Sequence, residues 1–168
     1  LDLEHSLSAE DERVRSVVDG QPGVAMITPR IEQFGLVTTS ERSAGVLVIG
    51  IDPAKETAVI RLPRLVKEGA WLEPDDPHGV LIGQGLAQTL GVRLGEKVVV
   101  MAQTSDGALG AAAYRGKGIF KGGTDQLDRQ AIFITVKAAQ ELLGLQGKIS
   151  KWVIRLRRLD QTQPVVTA

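Results

Sequence analysis

Short apolar runs, separated by glycine and polar breaks, make up most of this sequence and predict strands more often than helices. The clearest run covers residues 44–51, where β-branched side chains and flanking glycine favour a buried strand. Residues 151–159 alternate between apolar and mostly basic side chains, which predicts a final strand with one exposed face. A Ser-Asp-Gly turn at 105–107 predicts a hairpin. Shorter runs predict further strands at residues 24–28, 34–39, 79–83, 98–101, 113–121 and 131–135.

Three segments carry helical patterns. Ser8 and the acidic residues after it form a capping box, which predicts a helix that ends before residues 19–23. Residues 85–90 and 136–143 predict two more helices, of which the second is amphipathic and ends at a glycine. Residues 57–72 are ambiguous, because only part of their pattern fits a short helix. Since strands dominate and helices only punctuate them, the predicted fold class is α+β.

Two polar breaks divide the chain. Residues 73–77 carry two prolines among acidic side chains, and residues 144–150 are rich in glycine and polar side chains. These breaks predict a discontinuous domain, residues 1–74 and 149–168, which is interrupted by an inserted β-rich unit, residues 75–148.

Composition narrows the classes of function. The chain has 168 residues, enough for one domain with a buried core or for one domain with a smaller insertion. Its 20 basic and 20 acidic side chains cancel, so no global charge attracts nucleic acid or anionic lipid. The absence of cysteine excludes disulfides, thiolate zinc sites and cysteine nucleophiles. The apolar runs are too short to span a bilayer, and a start at Leu1 rather than Met is expected of a piece cut from a longer protein.

Two glycine-rich fragments come close to phosphate-binding loops without matching them. Residues 83–88 follow a predicted strand and open a helix, as a dinucleotide site requires, but Gln88 stands in place of the third small residue. A tight strand-to-helix turn is the favoured interpretation. Residues 110–117 end in Gly-Lys, but the spacing is one residue too long, and Gly118 stands where a magnesium-binding hydroxyl is required.

The remaining polar clusters lack the spacing of a catalytic or metal site. His5 and His78 lie in polar segments without a partner at ligand spacing, so surface histidines are the favoured interpretation. The acidic residues at 73–76 lack the alternation and the closing glutamate of a calcium loop. The basic face of residues 151–159 lacks the interleaved aromatic side chains of a nucleic-acid surface. We therefore predict that the chain is not an enzyme, that it takes no cofactor or metal, and that it binds no nucleic acid.

Several blocks occur in the order found in one group of membrane transporters. Residues 22–30 resemble the PGV…APR opening of that group, and residues 45–53 resemble its VLVxGVDP strand. Residues 79–98 are similar to its VLIGxxLAxxLGVxxGDxV block. Residues 118–120 and 132–143 match its GIF and xFIxLxxAQxLL blocks. The blocks together resemble the extracytoplasmic domain of MacB-like ABC transporter permeases, nearest to the lipoprotein-releasing LolC/LolE type.

The resemblance covers residues 8–158 and implies a fold, a location, partners and a function. It implies a Porter-like α/β subdomain, residues 1–74 and 149–168, interrupted by a β-rich Sabre-like subdomain, residues 75–148. The implied location is the periplasm, as a domain of an inner-membrane permease between its first and second membrane helices. The implied partners are a second permease subunit in a homo- or heterodimer, a cytoplasmic ABC ATPase reached through the membrane region, and a periplasmic lipoprotein or its carrier. The implied function couples ATP-driven motion of membrane helices to outward transport or release of a lipoprotein or another amphiphile.

The sequence departs from the group at two places. Such domains usually close with a helix and a strand, and that helix is expected to begin at residues 162–168. The LolC type carries a long, proline-bearing hook that captures the lipoprotein carrier, whereas the corresponding hairpin here, residues 104–112, is short, rich in Gly and Ala and free of proline. A LolE-like or generic permease role therefore fits better than carrier capture. The residues of this hairpin that we expect to contact a partner are Thr104, Ser105, Asp106, Gly107, Ala108, Leu109 and Gly110.

A second interpretation comes from a different class of protein, a soluble cytosolic β-barrel-type recognition module that binds a peptide or nucleic acid. The turn at residues 90–97, before the predicted strand at 98–101, is also typical of such barrels. Net neutrality and the small number of aromatic residues weaken the nucleic-acid version and leave peptide binding open.

Overall fold

The computed structural model describes residues 7–8, 24–59, 62–144, 148–149, 151–156 and 165–167. The helices are α1 (Pro53–Val59), α2 (Gln84–Leu90), α3 (Asp125–Gln130) and α4 (Val136–Leu143), with a 3₁₀ turn at Leu62–Leu65. The strands are β1 (Leu7–Ser8), β2 (Val24–Thr38), β3 (Ser43–Ile51), β4 (Val66–Gly69), β5 (Gly79–Gly83), β6 (Lys97–Gln103), β7 (Leu109–Phe120), β8 (Ala131–Thr135), β9 (Lys148–Ile149), β10 (Lys151–Leu156) and β11 (Val165–Thr167).

Six strands close into a ring. Around it, β2 pairs with β3, β3 with β8, β8 with β5, β5 with β7, β7 with β6, and β6 with β2 again. The β3–β8 and β5–β7 pairs are parallel and the others are antiparallel. Outside the ring, β4 adds to the second half of β7, while β10 and then β11 extend the sheet from the first half of β2. This mixed sheet with few helices confirms the α+β class.

β2 is one strand of 15 residues, so the prediction of two strands separated at Pro29 is wrong. Pro29 lies where β2 changes partners. β10 pairs with β2 up to Arg30, whereas β3 pairs with β2 only from Arg30 onward. A proline is tolerated in a strand at a point where one neighbouring ladder is missing. β2 therefore passes without a break from β10 into the ring.

The core lies on both faces of the strands, and β8 separates its two parts. All five residues of β8 are buried. Because side chains alternate along a strand, Ile132 and Ile134 join the cluster under α2 and α4, whereas Phe133 joins the cluster on the other face. There the rings of Phe120 and Phe133 pack edge to face with centroids 5.2 Å apart. The near-continuous apolar run of β8 is thus explained by burial on both sides.

Helix α1 was not predicted, although its start carries a clear signal. The Asp52 carboxylate accepts hydrogen bonds from the backbone N–H of Ala54 at 3.1 Å and of Lys55 at 3.2 Å. Pro53 occupies the first helical position, which suits its fixed φ and missing N–H. In the sequence, Asp52-Pro53 predicts only the end of a strand. The ambiguous residues 57–72 contain the end of α1, the 3₁₀ turn and β4.

The predicted parts 1–74 with 149–168 and 75–148 share one sheet. β10 pairs with β2, as an insertion requires. The pairs β3–β8 and β2–β6 join the two parts through backbone hydrogen bonds. The division into two subdomains stays a prediction.

Three expectations concern the ends of the chain. The helix predicted after Ser8 lies outside the described residues, and Leu7 and Ser8 themselves pair with β9. The expectation of a helix beginning at residues 162–168 is wrong for its described part, because Val165–Thr167 forms strand β11 beside β10. The predicted basic face of residues 151–159 and the prediction of an exposed His5 concern side chains outside the part of the chain that the structure describes. None of the helices described is long and apolar enough to cross a bilayer.

Candidate functional site

The β6–β7 hairpin closes through a compact loop. The backbone N–H of Thr104 donates to the Ala108 carbonyl at 2.8 Å, and that of Gly107 donates to the Thr104 carbonyl at 3.1 Å. The Thr104 hydroxyl contacts the Asp106 carboxylate and the Ala108 carbonyl. Gly107 has a φ of +86°, in the left-handed region that favours glycine. The hairpin turn predicted from Ser-Asp-Gly is confirmed.

The loop packs against the C-terminal end of α4. The backbone N–H of Ser105 donates to the Leu143 carbonyl at 3.0 Å, and the Ser105 hydroxyl donates to the Gly144 carbonyl at 3.3 Å. These bonds satisfy carbonyls that a helix end leaves without partners. A Cβ atom at Gly110 would lie 2.2 Å from the Leu142 carbonyl oxygen, so only glycine fits there. The hairpin loop and α4 therefore form one fixed unit.

A groove of about 940 Å³ lies beside this unit, between β7, α4 and the segment before β5. Pro77 and His78 close one end, and α4 contributes Ala138, Glu141 and Leu142. Of the seven residues expected to contact a partner, those that line the groove are Thr104, Ser105, Asp106, Ala108 and Gly110. Gly107 and Leu109 lie outside the lining, and Leu109 is 72% exposed.

The first half of β7 has a strand on one side only. β6 runs along that half, whereas β5 begins to pair at Arg115, whose backbone N–H donates to the His78 carbonyl at 2.7 Å. Because backbone groups alternate in direction along a strand, the N–H and C=O of Ala111 and Ala113 point the same way as those of Arg115, away from β6. Within the part of the chain that the structure describes, no strand pairs with them. This edge of β7 is open to the groove.

Tyr114 places a polar group at the groove wall. The residue is only 2% exposed, and it lines the groove. Burial, together with the negative charge of Glu141, raises the pKa of Tyr114 to about 12. Within the described residues its hydroxyl forms no hydrogen bond. The phenol is therefore a neutral donor that faces the groove.

Charges are distributed unequally along β7. Lys97 and Arg115 are directly opposite each other on β6 and β7, both exposed, and the Arg115 guanidinium donates to the Gly95 carbonyl at 3.1 Å. Neither forms an ion pair with a carboxylate of the described residues. At the hairpin end, the hydrogen bond from Thr104 and then that from the Ala108 backbone lower the pKa of Asp106. One end of the strand is basic and the other carries a carboxylate.

The glycine-rich fragment at 83–88 forms a tight strand-to-helix turn, as interpreted from the sequence. β5 ends at Gly83 and α2 begins at the next residue. A Cβ at Gly83 would lie 2.2 Å from the Asp128 carbonyl oxygen, and one at Gly85 would lie 2.7 Å from Arg129 Cγ. The glycines are thus explained by the close approach of α3. The other fragment, residues 110–117, lies inside β7 and forms no loop.

Two of the acidic residues at 73–76 form local contacts near the start of β5. One Asp76 carboxylate oxygen accepts from the backbone N–H of His78 at 3.0 Å and of Gly79 at 2.9 Å, which fixes the start of β5. Asp75 forms an exposed ion pair with Lys137 at 2.8 Å. In the described ranges, no group of three or more His, Asp or Glu side chains is placed to hold a metal ion.

A buried ion pair is the polar feature that sequence reasoning missed. Arg30 Nε lies 2.8 Å from Glu56 Oε1 and Arg30 Nη2 lies 2.9 Å from Glu56 Oε2, in a two-point contact. Glu56 is fully buried, and the Arg30 side chain is 12% exposed. Arg30 pairs with Ile51 of β3 and with Lys151 of β10, so the ion pair fastens α1 to the point where β2 enters the ring. No local pattern links two residues 26 positions apart.

Comparison with known proteins identifies relatives over nearly the whole chain. The family model of the MacB-like periplasmic core domain matches residues 4–168. The lipoprotein-releasing system transmembrane protein LolC of Xylella fastidiosa is 30% identical over 153 residues, covering 87% of this chain and 36% of that protein. LolC of Neisseria meningitidis serogroup B is 25% identical over 158 residues, covering 89% of this chain and 37% of that protein. The chain thus spans about a third of the length of these curated relatives.

Solved structures share the fold at low sequence identity. The extracellular domain of the noncanonic ABC-type transporter YknZ from Gram-positive bacteria superposes with a TM-score of 0.67 at 16% identity, covering 92% of this chain and 75% of that one. The periplasmic region of MacB from Actinobacillus actinomycetemcomitans superposes with a TM-score of 0.64 at 14% identity, covering 89% and 64%.

These relatives confirm the resemblance drawn from the sequence blocks and the periplasmic location that it implies, and they set aside the cytosolic recognition module. ABC transporter permeases in general work with partner subunits and an ATPase, which agrees with the class of partners implied by the resemblance. The chain belongs to the MacB-like periplasmic core domain family and is the periplasmic domain of an inner-membrane ABC transporter permease of the MacB/LolC type.

Proposed function

We propose that this domain is a non-catalytic coupling body. ATP-driven motion of the membrane helices moves it as a unit, and that motion guides a lipoprotein or another amphiphile outward. The ATP is hydrolysed in a separate subunit or domain. The physical requirement is a stiff connection between the strands that receive the motion and the packed ring that delivers it.

The continuity of β2 is the observation that carries this proposal. Its first half pairs with β10, and its second half is built into the closed ring between β3 and β6. Displacement of the β2–β10 pair must therefore displace the ring, because no loop separates the two. The ladder hydrogen bonds along β2 resist bending at the junction.

The Arg30–Glu56 ion pair supports the same proposal. It lies at the residue where β2 leaves β10 and meets β3, and it ties that point to α1. α1 is held in turn by the Trp71 indole N–H, which donates to the Pro53 carbonyl at 3.0 Å. A two-point ion pair with a fully buried carboxylate keeps a fixed geometry, since separating the charges inside the protein is costly.

The amphiphile is proposed from the relatives. The LolC proteins similar to this chain are described as lipoprotein-releasing system transmembrane proteins. We extend this to a lipoprotein cargo, a permease partner in a homo- or heterodimer, and a cytoplasmic ABC ATPase. The division into a Porter-like part, residues 1–74 and 149–168, and a Sabre-like part, residues 75–148, belongs to the same proposal. A LolE-like or generic permease role stays a prediction.

A reversible disulfide cross-link inside the domain tests the coupling role. Thr38 of β2 and Val99 of β6 are directly opposite each other in the ring, and the chain has no native cysteine. Thr38→Cys with Val99→Cys is introduced into the complete permease, reconstituted with its ATPase in proteoliposomes that contain a lipid-anchored protein. A body that moves as a unit releases the lipid-anchored protein at the same ATP-dependent rate before and after the disulfide forms.

The two single-cysteine variants control for the substitutions themselves. If oxidation stopped release and reduction restored it, the domain would have to deform internally, and the coupling-body proposal would be wrong. If ATP released no lipid-anchored protein from the unsubstituted permease, the lipoprotein cargo would be wrong instead.

A further inference from the structure

We propose that the open edge of β7 binds an extended segment of another polypeptide by strand addition, and that this segment carries an acidic side chain. The proposal goes beyond the coupling role and does not depend on it. Three features of the groove lead to it, namely its unpaired backbone, its shape and its charge.

The first feature is the backbone. Ala111 and Ala113 are exposed and direct their N–H and C=O groups into the groove, where no strand of the described residues meets them. An unpaired edge of this kind is a template for a further strand, which gains main-chain hydrogen bonds. At about 3.3 Å per residue, the edge from Leu109 to Ala113 is long enough for a segment of roughly five residues. An added strand would lie in line with the start of β5, since β5 takes over this side of β7 at Arg115.

The second feature is the shape of the groove. Three consecutive alanines, residues 111–113, leave the edge free of bulky side chains. Across the groove α4 presents Ala138 and Leu142, which suit the small apolar side chains on one face of an added strand. The Tyr114 hydroxyl supplies a donor at the same wall. The volume of about 940 Å³ accommodates a short peptide.

The third feature is charge. Lys97 and Arg115 are cross-strand partners, and like charges in that arrangement destabilise a sheet. No carboxylate within the described ranges pairs with either side chain. His78 lies at the same end of the groove. An aspartate or glutamate on the added strand near Arg115 would neutralise this end, which defines both the chemistry and the register of the segment.

A polypeptide fits these features better than an acyl chain does. An acyl chain would cover the N–H and C=O groups of Ala111 and Ala113 without bonding to them, which is unfavourable. It would also leave Lys97 and Arg115 without a carboxylate partner. An extended peptide satisfies the backbone, the apolar wall and the charge together.

A displayed library of random twelve-residue peptides, selected on the 168-residue chain, is the probe. Binding of the selected peptides is then measured on the chain and on two variants. Ala113→Pro removes the N–H that points into the groove and leaves the ladder to β6 intact, since Ala112 and Tyr114 form that ladder. Ala113→Val is the matched control, because it keeps the N–H. Selected peptides should bind the chain and Ala113→Val alike and lose about tenfold or more in affinity on Ala113→Pro.

A second readout does not depend on how the proline variant folds. Methylating alternate backbone nitrogens of a selected peptide removes its ladder donors and should abolish binding to the unchanged chain. Replacing the peptide's acidic residue by its amide, or introducing Lys97→Gln, should weaken binding, and the difference should shrink at high salt. In the amide spectra, Ala111 and Ala113 should shift most.

Four results would overturn the proposal. Selection could enrich no peptide, selected peptides could bind Ala113→Pro as well as the chain, or the shifts could centre on the exposed apolar side chains Phe34 and Leu36 of β2, away from the groove. Dimerisation of the chain itself through this edge, abolished by Ala113→Pro, would make the occupant a second copy rather than another polypeptide.

Discussion

The junction at Arg30 and the groove beside β7 belong to the same sheet, yet they treat their polar groups in opposite ways. At the junction Glu56 is fully buried and both of its carboxylate oxygens accept from Arg30. In the groove the Tyr114 hydroxyl has no hydrogen bond partner among the described residues, and the outward backbone of Ala111 has no strand beside it. A buried polar group with fixed partners makes a joint stiff, whereas the exposed, unpaired backbone of a strand edge makes a surface that another strand can bind.

This difference fits the two proposed roles of the domain, which are rigid-body coupling and the binding of another polypeptide. In the coupling role proposed above, the junction carries displacement of β2 and β10 to the ring, and the groove lies beside β7 of that ring.

Removing one member of the buried ion pair should give the largest effect. Arg30→Ala leaves the Glu56 carboxylate buried without a partner, and we expect a loss of about 3–5 kcal/mol in the free energy of unfolding. Urea denaturation of the chain measures it. Arg30→Met combined with Glu56→Leu removes both charges and should recover most of the loss. Equal stability for Arg30→Ala and the unsubstituted chain would mean that the junction is not fixed by this pair.

Adding a methyl group at Gly110, where the hairpin contacts α4, should have the next largest effect on the free energy of unfolding. The Cβ of Gly110→Ala would lie 2.2 Å from the Leu142 carbonyl oxygen, so the hairpin must shift, at a cost of about 1–3 kcal/mol. Gly45→Ala is the matched control, because a Cβ there meets nothing within 4 Å. Amide exchange at Ser105, whose N–H donates to Leu143, should become faster only in Gly110→Ala. The same exchange rate in both variants would contradict the tight docking.

The phenol of Tyr114 should make stability depend on pH only in the alkaline range. Its pKa rises from 10.0 to about 12 on folding, so between these values the unfolded chain has lost a proton that the folded chain keeps. The stability that the neutral phenol contributes is therefore fully present below pH 10 and falls by about 1.4 kcal/mol per pH unit between pH 10 and about 12. Tyr114 is the chain's one tyrosine, so ultraviolet titration of tyrosinate reports its pKa directly. Tyr114→Phe should abolish this decline and leave stability at neutral pH unchanged, since the hydroxyl has no hydrogen bond within the described residues.

The exposed ion pair between Asp75 and Lys137 should give the smallest effect. The hydrogen bond between them lowers the pKa of Asp75 and raises that of Lys137, but both side chains are exposed to solvent. Water and salt screen such pairs, so Lys137→Ala should not measurably change the unfolding midpoint. A midpoint shift as large as that of Gly110→Ala would show that the segment before β5 depends on this contact.

Local signals in the sequence predict much of the fold, and non-local pairing accounts for what they miss. Residues 131–135 and 136–143 are strand and helix as predicted, because an apolar run and an amphipathic pattern are local properties. Closure of the ring depends on pairs such as β2 with β6, which no local pattern contains. The predicted break at Pro29 is wrong because a proline is tolerated where a strand has a neighbour on one side only. β10 pairs with β2 at Pro29, whereas β3 does not, and only the tertiary structure shows this.

The candidate site divides in the same way. The turn at 105–107 is predictable from its residues, and five of the hairpin residues expected to contact a partner line the groove. Tyr114 is read from the sequence only as part of a strand, and α4 gives no sign that it forms the opposite wall. The Arg30–Glu56 pair joins a strand to a helix that the sequence analysis does not predict, so it could not be foreseen.

Spin labels in the complete permease test rigid-body motion most directly. Glu41, in the turn after β2, and Glu73, before β5, are exposed and can each be replaced by cysteine in a chain that has none. Electron–electron distances are measured without nucleotide and with ATP trapped in the ATPase. Coupling by a rigid body predicts that the distance from Glu41 to Glu73 within one domain stays the same, while the distance from either position to a label on a membrane helix changes. A change in the distance within the domain, with no change relative to the membrane helices, would contradict it.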